Sequence, residues 1–141
     1  MAAEIEDFWP RNFPVVDPPA PVALLNQQAE LLGRHTGGQV EGIVIPSVEE
    51  TTAYYSLNLK ADALGDYLYK LLHIGIPTDC DPSKPFPITA QTAFGQASVK
   101  INNAQDFREW LQHQLSSDRV QVTIGNLLRY IRESRKTSQV S

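Results

Sequence analysis

The chain has 141 residues, a net charge of −4 and 42% hydrophobic residues. That length suits one domain with a core that needs no covalent staples, and the composition excludes a disordered acidic tail. With 16 acids against 12 bases, a dedicated nucleic-acid binder is disfavoured and only a local basic patch remains open. The single cysteine, Cys80, can close no internal disulfide, and no residue pair has zinc-ligand spacing. No run approaches the ~20 apolar residues of a membrane span. Glu4, Glu6 and Asp7 stand where a signal peptide would carry positive charge, and there is no Asn-x-Ser/Thr acceptor site. The expected setting is the cytosol, with no membrane partner.

Residues 1–19 read as an extended arm. Five of the ten prolines fall in the stretch FWPRNFPVVDPPAP, together with Phe8, Trp9 and Phe13. X-Pro steps push such a segment toward extended or polyproline geometry. Pro21 suits a first helical turn, and Val22, Leu25, Ala29 and Leu32 recur at helical spacing. Gly37 and Gly38 offer a left-handed stop, so a helix is expected over 21–35.

The β-branched run Val40, Ile43, Val44, Ile45 predicts a strand ended by Pro46, with SVEET as a polar hairpin connector. In TAYYSLNLK, Tyr55, Leu57 and Leu59 alternate with Tyr54, Ser56, Asn58 and Lys60, the pattern of a second, antiparallel strand. Residues 61–75 place Leu64, Leu68, Leu71 and Leu72 at helical spacing ahead of Gly75 and Pro77, which predicts a second helix. PTDCDPSKPFP reads as a loop. Phe86, Ile88 and Ala90 at period two predict an edge strand, and QASVKIN a short further one carrying Val99 and Ile101. Asn103 with Asp106 three residues on forms a helix-start signal, followed by Phe107, Trp110, Leu111 and Leu115 on one face. SSD breaks that helix or caps the next. Ile124, Leu127, Leu128 and Ile131 mark a last helix, and residues 134–141 read as a frayed tail.

The expected fold is therefore α+β: a small antiparallel sheet of three or four strands packed with about four helices, preceded by the arm. The body spans 20–133 as a single domain.

The candidate chemistries are thin. Cys80 lies between Asp79 and Asp81, whose charges disfavour a thiolate, and those two carboxylates alone are explained by turn chemistry. His35 and His73 fall at predicted helix ends, where a cation complements the dipole; His113 has no partner at metal spacing. Asp62 and Asp66 are expected on one face of the second helix. Glu49 and Glu50 read as solubilising charge in the connector. Gly37-Gly38 is no phosphate loop, and no nucleophile elbow exists. No residue is assigned a catalytic, metal-binding or cofactor role.

Two groups of residues point to binding. Arg129, Arg132 and Arg135, with Lys136, give the last helix a basic side suited to phosphate or an acidic partner, although a dipole interaction and a solvated tail explain them too. Phe8, Trp9, Arg11 and Phe13 form a partner-binding candidate, since each large aromatic buries ~150–250 Å² when docked and an exposed cluster is a sticky patch. The surface that covers them is the chain's own body, a second copy, or a different protein. The expected function is a non-enzymatic protein-interaction or accessory module. The alternatives are a small carboxylate/His enzyme, and nucleic-acid or phosphate binding by the basic helix.

Overall fold

The computed structural model describes residues 6–94 and 97–139. Glu4, the Gly95-Gln96 approach to the short strand and the tail residues Val140 and Ser141 lie outside the described residues.

Helix α1 (Ala20–His35) starts with Pro21 in its first turn and buries Val22, Leu25 and Ala29 on one stripe. It ends as the sequence signals. Thr36 N–H donates to Leu32 O, Gly38 N–H donates to Gly33 O at 2.7 Å, and Gly37 and Gly38 take φ of 62° and 81°. The Thr36 hydroxyl then latches the next segment, donating to Val40 O at 2.7 Å and accepting the Val40 N–H at 3.1 Å.

Strands β1 (Glu41–Glu49) and β2 (Thr52–Lys60) pair antiparallel around a two-residue turn, Glu50–Thr51, with Glu50 at φ 55°. Pro46 does not end β1. It pairs with Tyr55 inside the strand, which is tolerated because β1 is the sheet edge and its missing N–H leaves no ladder bond unmade.

The predicted helix over 61–75 is the main correction. Only a 3-10 turn, Asp62–Leu64, is helical; Gly65 turns left-handed at φ 78°, and β3 (Leu68–Pro77) follows as a strand. Leu57 pairs with Leu72 and Asn58 with Lys70, so Leu71 is an extra residue in β3. This bulge buries both Leu71 and Leu72 and produces the i, i+3, i+4 look that imitates a helix. Beyond it, Leu72, Ile74 and Ile76 alternate as a strand should.

Strands β4 (Ile88–Thr92) and β5 (Val99–Ile101) complete a five-stranded antiparallel sheet in the order β1-β2-β3-β4-β5. Helices α2 (Ala104–Leu115) and α3 (Asp118–Gln139) follow. The α+β class holds, with five strands and three helices where three or four and about four were expected. Asn103 caps α2 by accepting the Asp106 N–H at 2.8 Å while donating to the Asp106 carboxylate at 3.1 Å. Ser117 Oγ accepts the Val120 N–H at 3.4 Å at the start of α3. That helix continues through residue 134 to Gln139.

All three helices lie on one side of the sheet. Leu57 and Leu71 share a small cavity of about 160 Å³ with Ala29 of α1, Leu115 of α2 and Ile124 of α3. The core fills this layer: Leu25, Leu59, Leu72, Ile74, Ile88, Phe107 and Ile131 are essentially fully buried. Helix α1 approaches β1 so closely that a Cβ on Gly42 would stand 2.6 Å from the Ala29 Cα. Glycine is what permits that contact. The opposite sheet face carries Ile43, Ile45, Tyr54, Ser56, His73 and Thr89 and is at least partly exposed.

Candidate functional site

The structure separates the sequence candidates into three places: the arm, the open sheet face and the end of α3.

The described part of the arm, residues 6–19, has no helix or strand. Asp7 accepts the Trp9 N–H at 3.1 Å, a local turn that the proline-rich segment then extends. Phe8, Trp9 and Phe13 are 88%, 73% and 65% exposed, and Arg11 is exposed beside them. Trp9 and Phe13 face each other at 5.9 Å between ring centroids, tilted by 56°. Toward its root the arm meets the body. There Val16 and Pro18 border a concavity of about 270 Å³ with Val22, Val44, Pro46 and Tyr55.

On the open sheet face, β2 and β3 bring Tyr54, Ser56, Lys70 and His73 around a polar depression of about 260 Å³ that Ser47 and Glu49 close. Tyr54 and His73 meet edge to face at 5.6 Å. The Tyr54 ring lies above its cross-strand partner Gly75, whose bare backbone makes room for it: a Cβ there would stand 3.0 Å from Tyr54 Cε1 and 2.6 Å from Thr89 Oγ1. Burial pushes the His73 imidazole pKa below its ordinary value, and Lys70 pushes it further; Glu49 opposes them. His73 Nδ1 is buried with no hydrogen-bond partner among the described residues. Ser56, directly across from it, is committed elsewhere. Its hydroxyl donates to Ile45 O at 3.3 Å and accepts from Asn58 Nδ2 at 2.9 Å. A nucleophile activated by a base needs the hydrogen bond that this pair does not make.

The carboxylate candidates are not brought together. Asp62, Asp66, Asp79 and Asp81 are all exposed. Asp62 and Asp66 share no helical face, since no helix spans them. Asp62 pairs with Lys60 at 3.4 Å. Asp81 is turned into its own loop, where the Ser83 N–H at 3.0 Å and the Ser83 hydroxyl at 2.8 Å hold its pKa down. Cys80 is half-buried in the same loop. Among the described residues, no three His, Cys, Asp or Glu side chains gather closely enough to hold a metal ion. His73 is not at a helix end but in the middle of β3.

At the end of α3 the basic residues divide. Arg129 pairs with Glu133 at 3.6 Å and covers the Tyr130 ring at 4.8 Å. Arg132, Arg135 and Lys136 turn the other way and, with His35 and Gln39, line a concavity of about 420 Å³. Sequence reasoning missed His35 and Gln39 as neighbours of these arginines because they lie almost a hundred residues away. It missed the Tyr54–His73 pair because β3 was read as a helix; the alternation Leu72, Ile74, Ile76 was the available signal.

Among the described residues no helix is long and apolar enough to cross a membrane. The chain matches no protein-family model, no curated protein and no solved structure.

Proposed function

We propose that this protein is a non-enzymatic interaction module of the cytosol, an accessory or regulatory subunit that docks through residues 8–13 onto another protein chain, either a second copy or a different protein. One observation carries the reading: Phe8, Trp9 and Phe13 are exposed together on an arm whose own body does not cover them. Solvent contact with that much aromatic surface is costly, and docking removes the cost. Three such side chains at ~150–250 Å² each and about 25 cal/mol per Å² give a gross gain on the order of 10 kcal/mol. This is comparable with the roughly 4–15 kcal/mol that association costs, so net affinity rests on how little ordering is left to do. The prolines supply that pre-organisation by thinning the arm's free conformations.

The test compares the full chain with a version lacking residues 1–19, by light scattering and by mass spectrometry of what co-purifies from the source cell. Loss of a specific partner, or of dimer mass, in the truncated chain supports the reading. Identical mass and identical company for both versions overturns it.

A further inference from the structure

The second basic feature of the chain is a built concavity, and it does not depend on the arm. Leu128, Arg132, Arg135 and Lys136 stand at i, i+4, i+7 and i+8, a single stripe of α3 that faces the loop after α1. With His35, Thr36 and Gln39 they line the cavity of about 420 Å³. No carboxylate lines it. The ion pairs seen among the described residues, Arg34–Glu30, Lys60–Asp62 and Arg129–Glu133, do not take up Arg132, Arg135 or Lys136, which converge on this concavity. Like charges gathered around a concavity raise the local positive potential and favour an incoming anion.

The nearby end of α1 would normally present carbonyl oxygens, which repel anions. Leu32 and Gly33 are already answered by the Thr36 and Gly38 N–H groups. The Thr36 hydroxyl is closed on Val40, which leaves two guanidiniums, one ammonium, the His35 imidazole and the Gln39 amide facing the space. Guanidinium forks match phosphate oxygens in pairs.

We infer that this concavity binds a phosphate-bearing small molecule, with Arg132, Arg135 and Lys136 on the phosphate oxygens and His35 and Gln39 at the rim. Small-molecule sites run to about 300–1,000 Å³, so the space suits a polyphosphate or a phosphorylated metabolite better than a lone phosphate ion. Nucleic acid fits less well. The chain is net negative, and the nearest ring on α3, Tyr130, is already covered by Arg129.

The experiment is calorimetric titration of the full chain with inorganic pyrophosphate, inorganic phosphate and a short single-stranded oligonucleotide. The expected result is one saturable pyrophosphate site, tighter than phosphate. Changing Arg132→Gln and Arg135→Gln together weakens it by roughly tenfold or more, since each removes charge-assisted hydrogen bonds. Lys136→Gln alone weakens it less. Arg129→Gln, outside the cavity, changes it less than about twofold. All four side chains are exposed, and unchanged melting temperatures verify that the variants remain folded. Absence of saturable pyrophosphate binding, or equal weakening by Arg129→Gln, overturns the assignment. So does tighter binding of the oligonucleotide that Arg129→Gln also weakens, which would make the whole helix a nucleic-acid face.

Discussion

Phe107 and Phe8 are the same side chain in opposite circumstances. Phe107 is 1% exposed beneath α2, stacked with Trp110 at 6.3 Å. Phe8 stands 88% in solvent. The difference lies in their neighbours. Phe107 belongs to a helix whose cap, Asn103, fixes its start and whose Leu111 shares its face, so the helix has a side to bury. Phe8 belongs to a segment whose prolines deny it both a helix and a sheet ladder. Without a regular element the arm has no face to bury, and Trp9 and Phe13 meet each other rather than a core. In the body, apolar side chains stabilise this chain's fold; in the arm the same chemistry stays largely in solvent, which is the feature the proposed docking role rests on.

That contrast can be broken by substitution. The largest expected effect is Phe107→Ala, which leaves a void where the fully buried ring stood and costs about 3–5 kcal/mol in denaturant unfolding. A loss under about 1 kcal/mol would mean that α2 is not anchored where the structure places it. Next comes Gly42→Ala. Its new Cβ meets the Ala29 backbone, which cannot swing aside, so a loss of about 1–3 kcal/mol is expected, accompanied by loosening of α1 in hydrogen exchange. Removing the α2 cap with Asn103→Ala costs about 1 kcal/mol, and Asp at that position restores most of it.

The open face predicts a pH effect. The folded His73 pKa lies below its ordinary value of 6.5, chiefly through burial, so the folded state prefers the neutral ring. The unfolded chain therefore takes up the proton first as pH falls. Stability is full above about 6.5, declines as pH drops through and below that value, and levels off once both states are protonated. Replacing His73→Gln flattens this decline relative to the parent chain. Equal slopes for the two proteins between pH 7 and 5 would remove His73 from the account.

The smallest effect sharpens the comparison most. Changing Phe8, Trp9 and Phe13 together to Ala shifts unfolding stability by no more than about 0.5 kcal/mol, because those side chains contribute nothing to the core. The same change abolishes partner or self-association in light scattering. A drop of several degrees in melting temperature would instead show that the arm packs on its own body.

Where a signal closes within a few residues, the sequence reading and the structure coincide. Pro21 and Gly37-Gly38 bracket α1, Asn103 caps α2, and the alternation of Tyr55, Leu57 and Leu59 puts β2 in a sheet with β1 beside it. The two helix boundaries depend on dihedral preferences and on hydrogen bonds spanning three or four positions, and the β2 pattern is supported by a partner strand only a two-residue turn away. β3 is the counterexample. Leu64, Leu68, Leu71 and Leu72 satisfy a helical period, and what makes them a strand is the ladder to β2 on one side and β4 on the other, with a bulge at Leu71 that the sequence does not announce. Pro46 likewise stays within β1 only because β1 is the edge.

The candidate sites divide in the same way. The arm's extended character, its aromatic cluster and the basic content of α3 are properties of the chain by itself, because proline geometry and side-chain charge travel with the residue. Tertiary structure alone decided that the arm's aromatics stay largely exposed, and that Arg132 and Arg135 face His35. It also decided that Tyr54 crosses to His73 over Gly75. Those outcomes depend on which surfaces meet when α1 and α3 settle on one face of the sheet, and packing between elements distant in sequence is set by shape and burial, which no local pattern encodes.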